Sequence, residues 1–204
     1  MLLSINPENP QRRHIQKVVE CLRQGGVIAY PTDTTYGIGC DIFNRKGVKK
    51  IYQIKQRDPR KPFSFICADL SDAANYAQVS NFAFKTMRRR LPGPYTFVLD
   101  ATRTVPDLLT TRQKTVGVRI PDNPIVLSIV RELGHPLVTT SANIAGEEPY
   151  HDPAQIEDAM GKVLDLVVDG GILLGDPSSV ISLLGDRPDV LRQGSGDTSW
   201  IHSL

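Results

Sequence analysis

Helical and extended hydrophobic patterns alternate along nearly the whole chain, and no other feature of the sequence restricts its fold as strongly. Ile15, Val18, Val19 and Leu22 keep the one-face spacing of a helix that Gly25 and Gly26 end. VIAYP at 27–31 reads as a short buried strand, and Val48, Ile51, Tyr52 and Lys55 as a second helix. SFICA at 64–68 predicts a strand; SDAANYA and NFAFKTMRRR predict two helices, with Ser71 and Ser80 as candidate caps. YTFVLDA at 95–101 and TVGVRIP at 115–121 have strand composition. Asn123-Pro124 starts a helix that Gly134 ends, and PLVTTS, LDLVVDG, SSVISLL and DVLRQG supply four later strands.

These elements do not repeat a regular βαβ period. Two helices in succession, and successive strands near Tyr95 and Ser179, call for both antiparallel and parallel pairing. The reading is an α/β fold in which helices flank a twisted sheet of mixed direction around a concave basic cleft. With 204 residues and neither linker nor repeat, a single domain over residues 10–196 is expected, with 1–9 and 197–204 as its terminal extensions. A hydrophobic fraction of 40% against 23% charged residues excludes disorder and fibres.

No apolar run approaches the roughly 20 residues needed to cross a bilayer, and MLLSINPENPQRR lacks the pattern of a secretory signal. Cys21, Cys40 and Cys67 are odd in number and without metal-type spacing, so reduced thiols in a cytoplasmic protein are expected. A formal charge of +2 demands no polyanionic partner, but bases crowd at Lys55, Arg57, Arg60 and Lys61, and again at Arg88–Arg90.

Four segments place polar or special-backbone residues at strand ends, where open α/β sheets hold ligands. In Tyr30-Pro31-Thr32-Asp33-Thr34-Thr35-Tyr36-Gly37-Ile38-Gly39, the hydroxyls of Thr32, Thr35 and Tyr36 are candidates to fix a small polar ligand. A tight turn with threonine caps explains the segment equally well, and no Gly-Lys-Ser/Thr follows to make it a phosphate loop. In Ile54-Lys55-Gln56-Arg57-Asp58-Pro59-Arg60-Lys61-Pro62, two prolines stiffen a basic loop that suits an anion, against the reading of a solvated charge run. Thr139-Thr140-Ser141-Ala142-Asn143 delivers hydroxyls and an amide to a strand end, with helix capping as the competing explanation. Arg119 and Arg192 sit in apolar strand patterns, which is costly unless each is paired or binds an anion; Ser178-Ser179 precede a third strand.

Taken together, YPTDTTYGIG, IKQRDPRKPF, TVGVRIP and TTSANIAG resemble, in order and over residues 10–196, the YrdC/YciO family, best known for threonylcarbamoyl-AMP synthases. The resemblance implies a YrdC-like fold and an enzyme that condenses L-threonine, bicarbonate and ATP with release of pyrophosphate. The product would serve threonylcarbamoyl-adenosine modification of tRNA. It implies that Lys55, Arg57, Ser141 and Asn143 carry synthase activity as a Lys-x-Arg/Ser-x-Asn set. Thr35, Lys61, Thr140, Arg119, Ser179 and Arg192 match positions near the substrates and nucleotide phosphates. Mg²⁺ would arrive on the ATP phosphates. Gln56 and Asp58 depart from the Lys-Gly-Arg-Pro typical of synthases, and VLRQGSGD with YTFVLDATRTVPDLL looks closer to the YciO branch. That branch leaves two alternatives open: a non-catalytic protein binding tRNA or double-stranded RNA, and a hydrolase of ATP or threonylcarbamoyl-AMP.

Overall fold

Strands β1 (Leu2–Ser4), β2 (Ile28–Tyr30), β3 (Gly37–Asp41), β4 (Ser64–Ile66), β5 (Tyr95–Asp100), β6 (Thr115–Arg119), β7 (Leu137–Ser141), β8 (Leu166–Asp169), β9 (Ser179–Ser182) and β10 (Asp189–Arg192) join into one sheet in the computed structural model. Its order is β1-β8-β2-β3-β7-β4-β6-β5-β9-β10. The structure describes residues 1–56, 63–110, 112–143, 148–185 and 187–203. Pairing is parallel at β1–β8, β2–β8, β4–β6 and β5–β9 and antiparallel elsewhere, the mixed sheet that the succession of elements implied.

Helix α1 (Arg12–Arg23) buries the predicted stripe Ile15, Val18, Val19 and Leu22. Helix α5 (Pro124–Leu133) starts on Asn123, whose side chain accepts from the N–H groups of Ile125 and Val126, and ends at Gly134 with φ of 90°. Helices α2 (Arg45–Lys55), α3 (Leu70–Tyr76) and α4 (Asn81–Arg88) also form where the pattern places them. Ser80 caps α4 as expected, but α3 is capped by Asp69 rather than Ser71: the carboxylate accepts from Asp72 N–H. Among the described residues, three strands or α-helices were not anticipated. They are the short edge strand β1, the strand β3 built from the glycine-rich stretch, and helix α6 (Pro153–Met160) behind its Asp152 cap.

Strand registers divide the sheet into two faces. On one, Cys40, Val138, Phe65, Val118, Phe97 and Ile181 follow one another across six strands and form one core with residues of α2, α3, α4 and α6. On the other, Ile28, Tyr30, Leu137 and Ile66 pack beneath α1 and α5. Two residues further along, the same pleat carries Thr139 in place of Leu137 and Ser64 in place of Ile66. The face that is hydrophobic core under the helices therefore continues as a polar floor beyond them.

Candidate functional site

That floor lies in a cavity of about 410 Å³, within the usual size of small-molecule sites. Registered neighbours build it: Gly37 beside Ser141, Ser64 between Thr139 and Gly117, Gly117 beside Val98, and Thr96 beside Val180. Glycine at 117 is required by crowding, since a Cβ there would meet the Ser64 hydroxyl, and Thr96 Cγ2 at 3.1 Å. Thr35, Thr140, Ser178, Arg119 and Arg192 border the same space.

The two strand arginines do converge. Arg119 Nη2 reaches Asp33 Oδ1 at 2.8 Å, Thr34 Oγ1 at 2.9 Å and Thr32 Oγ1 at 3.3 Å. Among the described residues, its Nε and Asp33 Oδ2 are buried without a hydrogen bond. Arg192 donates through Nε and Nη2 to the Ser178 carbonyl at 3.1 and 2.7 Å, and among the described residues it has no carboxylate partner. Burial, and then the positive charge of Arg119, lower the Arg192 guanidinium from its ordinary value. Two guanidinium groups border one cavity, and among the described residues Asp33, paired to Arg119, is the one carboxylate that engages either, which leaves a positive field suited to an anion.

Lys55, at the end of α2, is only 8% exposed. Its ammonium donates to the Ser141 carbonyl at 3.1 Å, to the Asn143 carbonyl at 2.8 Å and to Asn143 Oδ1. The Ser141 hydroxyl donates to the same Oδ1 at 2.7 Å. Ser141 closes β7 while Asn143 lies beyond the strand end, so this hydrogen bonding, not a common extended face, brings the two together. Lys55, Ser141 and Asn143 thus meet as one unit; Arg57 and Lys61 lie outside the described residues.

Other predicted site residues serve the frame. The Thr32 hydroxyl is buried, donates to the Thr35 carbonyl at 2.7 Å and accepts from Thr34 N–H at 3.1 Å, which shapes the loop that presents Thr35. Tyr36 borders the cavity, while its phenol donates to the Gly171 carbonyl at 2.8 Å and accepts from Gly170 N–H at 3.1 Å. The Ser179 side chain is fully buried, donating to the Gly196 carbonyl at 2.6 Å and accepting from Gly194 N–H at 2.9 Å. Ser178 lines the cavity instead, paired with the Thr96 hydroxyl at 2.9 Å. Ser64, Thr96 and Gly117 also line the cavity, although the sequence marks none of them as a candidate site residue. The lone hydroxyl opening SFICA and the glycine inside VGVRIP were the available signals. Arg90 of the other basic cluster stacks on Trp200, 3.4 Å from the ring centroid.

Among the described residues no helix is long and apolar enough to cross a membrane, and no group of three or more His, Cys, Asp or Glu gathers as for a metal. The three cysteines are free thiols.

Comparison with known proteins agrees with this architecture. The Sua5_yciO_yrdC family model, described as "Telomere recombination", matches residues 20–194. The chain is 43% identical over 195 residues to the uncharacterized protein YciO of Escherichia coli K12, covering 95% of each. The crystal structure of E. coli YciO superposes with a TM-score of 0.93 over 98% of both chains. A threonylcarbamoyl-AMP synthase of Vibrio vulnificus is 35% identical over 185 residues, 89% of this chain and 98% of that one. P. abyssi Sua5 complexed with L-threonine matches with a TM-score of 0.89 at 28% identity, over 95% of this chain and 57% of that one.

Proposed function

Since the chain belongs to the Sua5/YciO/YrdC family, we propose that it is a threonylcarbamoyl-AMP synthase-like enzyme acting on L-threonine, bicarbonate and ATP. The observation that carries the reading is the convergence of Arg119 and Arg192 on a hydroxyl-lined cavity beside the Lys55–Ser141–Asn143 unit. Relatives named as threonylcarbamoyl-AMP synthases and a Sua5 that binds L-threonine supply the chemistry.

In this reaction the threonine amine and bicarbonate form a carbamate with loss of water, and a carbamate oxygen attacks the α-phosphorus of ATP. An oxygen–phosphorus bond forms, the bond to the β-phosphate breaks, and pyrophosphate leaves with the electron pair. Negative charge accumulates on the phosphoryl oxygens, and the chain's part is to place cations and donors around it. Arg119 and Arg192 serve the phosphates, with Arg57 and Lys61 assigned there by the family pattern. Lys55 holds the Ser141–Asn143 turn, which orients the ligand. Thr35 and Thr140 border the threonine subsite. Magnesium enters as part of the MgATP substrate, its charge balanced by the phosphates. The adenylate would then supply threonylcarbamoyl groups for tRNA modification.

The test is pyrophosphate release by purified protein given ATP, with threonine and bicarbonate present or individually omitted. Release that needs both supports the proposal. Protein that binds ATP yet releases no threonine-dependent pyrophosphate overturns it.

A further inference from the structure

The phenol of Tyr30 does something that core packing alone does not require. Tyr30 ends β2 and is completely buried, and its ring lies across β3 so that the hydroxyl reaches Thr139 Oγ1 in β7, two strands away, at 2.5 Å. The crossing depends on bare backbone beneath it. A Cβ on Gly37 would lie 3.3 Å from both the Tyr30 ring and Thr139 Oγ1, and one on Gly39 would lie 3.1 Å from the phenol oxygen.

The direction of the hydrogen bond follows from satisfaction. Among the described residues the phenol has no other partner, and it is sealed from water. Were Thr139 the donor, the phenolic hydrogen would be buried with no acceptor, the costlier arrangement. Burial also raises the phenol's titration well above its ordinary range, so it stays a donor at any ordinary pH. With a lone pair of Oγ1 taken from behind, the threonine's own hydrogen is left for the cavity that Thr139 lines. No other hydrogen bond engages that hydroxyl among the described residues.

We infer that Tyr30 is a positioning residue that aims the Thr139 O–H into the cavity, toward an anionic oxygen of the bound substrate. The inference rests on the proposed function for the identity of that substrate. The oxygen belongs either to an ATP phosphate or to the threonine carboxylate, and separate titrations tell them apart.

The experiment titrates MgATP and L-threonine separately into the full chain by calorimetry. It compares wild type with Tyr30→Phe, Thr139→Val, Thr139→Ser and the Tyr30→Phe/Thr139→Val double variant. One ligand is expected to bind about tenfold more weakly to Tyr30→Phe and about 10- to 100-fold more weakly to Thr139→Val, the range for a hydrogen bond to a charged group. The double variant should be no worse than Thr139→Val, because both changes remove one directed donor. Thr139→Ser should bind near wild type, a rescue that packing alone would not produce. Unchanged binding by Tyr30→Phe, or losses that multiply in the double variant, would overturn the inference. If Tyr30→Phe does not fold, the contrast of Thr139→Val with Thr139→Ser still decides, because equal binding by these two defeats it. Wild type that binds neither ligand would overturn the proposed function and this inference with it, whereas normal wild-type binding with flat variants overturns the inference alone.

Discussion

Replacing Tyr36 by phenylalanine keeps the buried ring and deletes two hydrogen bonds that tie the 170–177 strap to the start of β3. The phenol donates to the Gly171 carbonyl at 2.8 Å and accepts from Gly170 N–H at 3.1 Å. Gly171 is exposed, so its freed carbonyl turns to water and that loss is about 0.5–1 kcal/mol. Gly170 is half-buried, and its stranded N–H adds about 1 kcal/mol. The sum is about 2 kcal/mol, which for a chain of this length lowers Tm by about 4–8 °C. Urea unfolding should show a lower midpoint with unchanged slope, since nothing else about the exposed surface alters. Burial raises the titration of this phenol, so it is neutral below about pH 10, and the wild-type-minus-variant difference should be constant from about pH 6 to 9. The strap continues into Pro177 and Ser178 of the cavity wall, so ATP binding should weaken alongside. A stability loss below about 0.5 kcal/mol would refute the idea that the phenol pins the strap.

Lys55→Ala should cut threonine-dependent pyrophosphate release by about 10²–10³, as for removal of one fixed polar group from such a site. It should also destabilise the protein by about 2 kcal/mol in urea titrations, because a buried ammonium there holds two backbone carbonyls, whereas a solvated cleft lysine would cost little. Gly39→Ala places a methyl closer than 3.0 Å to the Val138 carbonyl oxygen, which has backbone on both sides and little room to yield. A loss of about 1–3 kcal/mol or more is expected, read as reduced soluble yield and a lower urea midpoint. Stability should fall as pH rises above about 9: Cys40, Cys67, Tyr30, Tyr36 and Tyr76 are all raised chiefly by burial, Tyr76 to about 12. The unfolded chain releases these protons near their ordinary values while the folded one retains them, so proton loss favours unfolding. A urea midpoint that stays level from about pH 8 to 11 would contradict the burial of these groups.

Most elements were legible because their signals are local. Asn123-Pro124 and Gly134 bracket α5 through cap chemistry that acts within four residues, and the α1 stripe needs nothing beyond its own spacing. The Ser71 expectation failed because Asp69, two residues earlier, offers the stronger acceptor at the right place. The glycine-rich stretch after Tyr36 suggested a ligand-fixing segment or a tight turn, not the strand it forms. Only the pairing of Gly37 and Gly39 with Ser141 and Thr139, and the ring of Tyr30 lying over them, explains why a strand there lacks side chains. In the site, Arg119 and Arg192 stood out because charge in an apolar strand demands a reason. Ser64 and Thr96 did not stand out, because a small hydroxyl in a strand is ordinary until its neighbours across the sheet are known. The choice between Ser178 and Ser179 is likewise decided at long range, by the return of residues 194–196 over β9.

The strands that roof the α1–α5 core also floor the cavity, since Leu137 and Ile66 are followed along one pleat by Thr139 and Ser64. Specificity and folding are therefore written in the same few residues, and the two cannot be edited independently. Shifting β7 by two positions against its neighbours would preserve the alternation of inward and outward side chains, yet exchange an apolar anchor for a cavity-facing hydroxyl. Misregistered chains of this kind would lose core and cavity together. An insertion or deletion inside β7 or β4 should consequently abolish the fold rather than retune the ligand, which leaves substitution of small side chains on the floor as the open route to altered specificity.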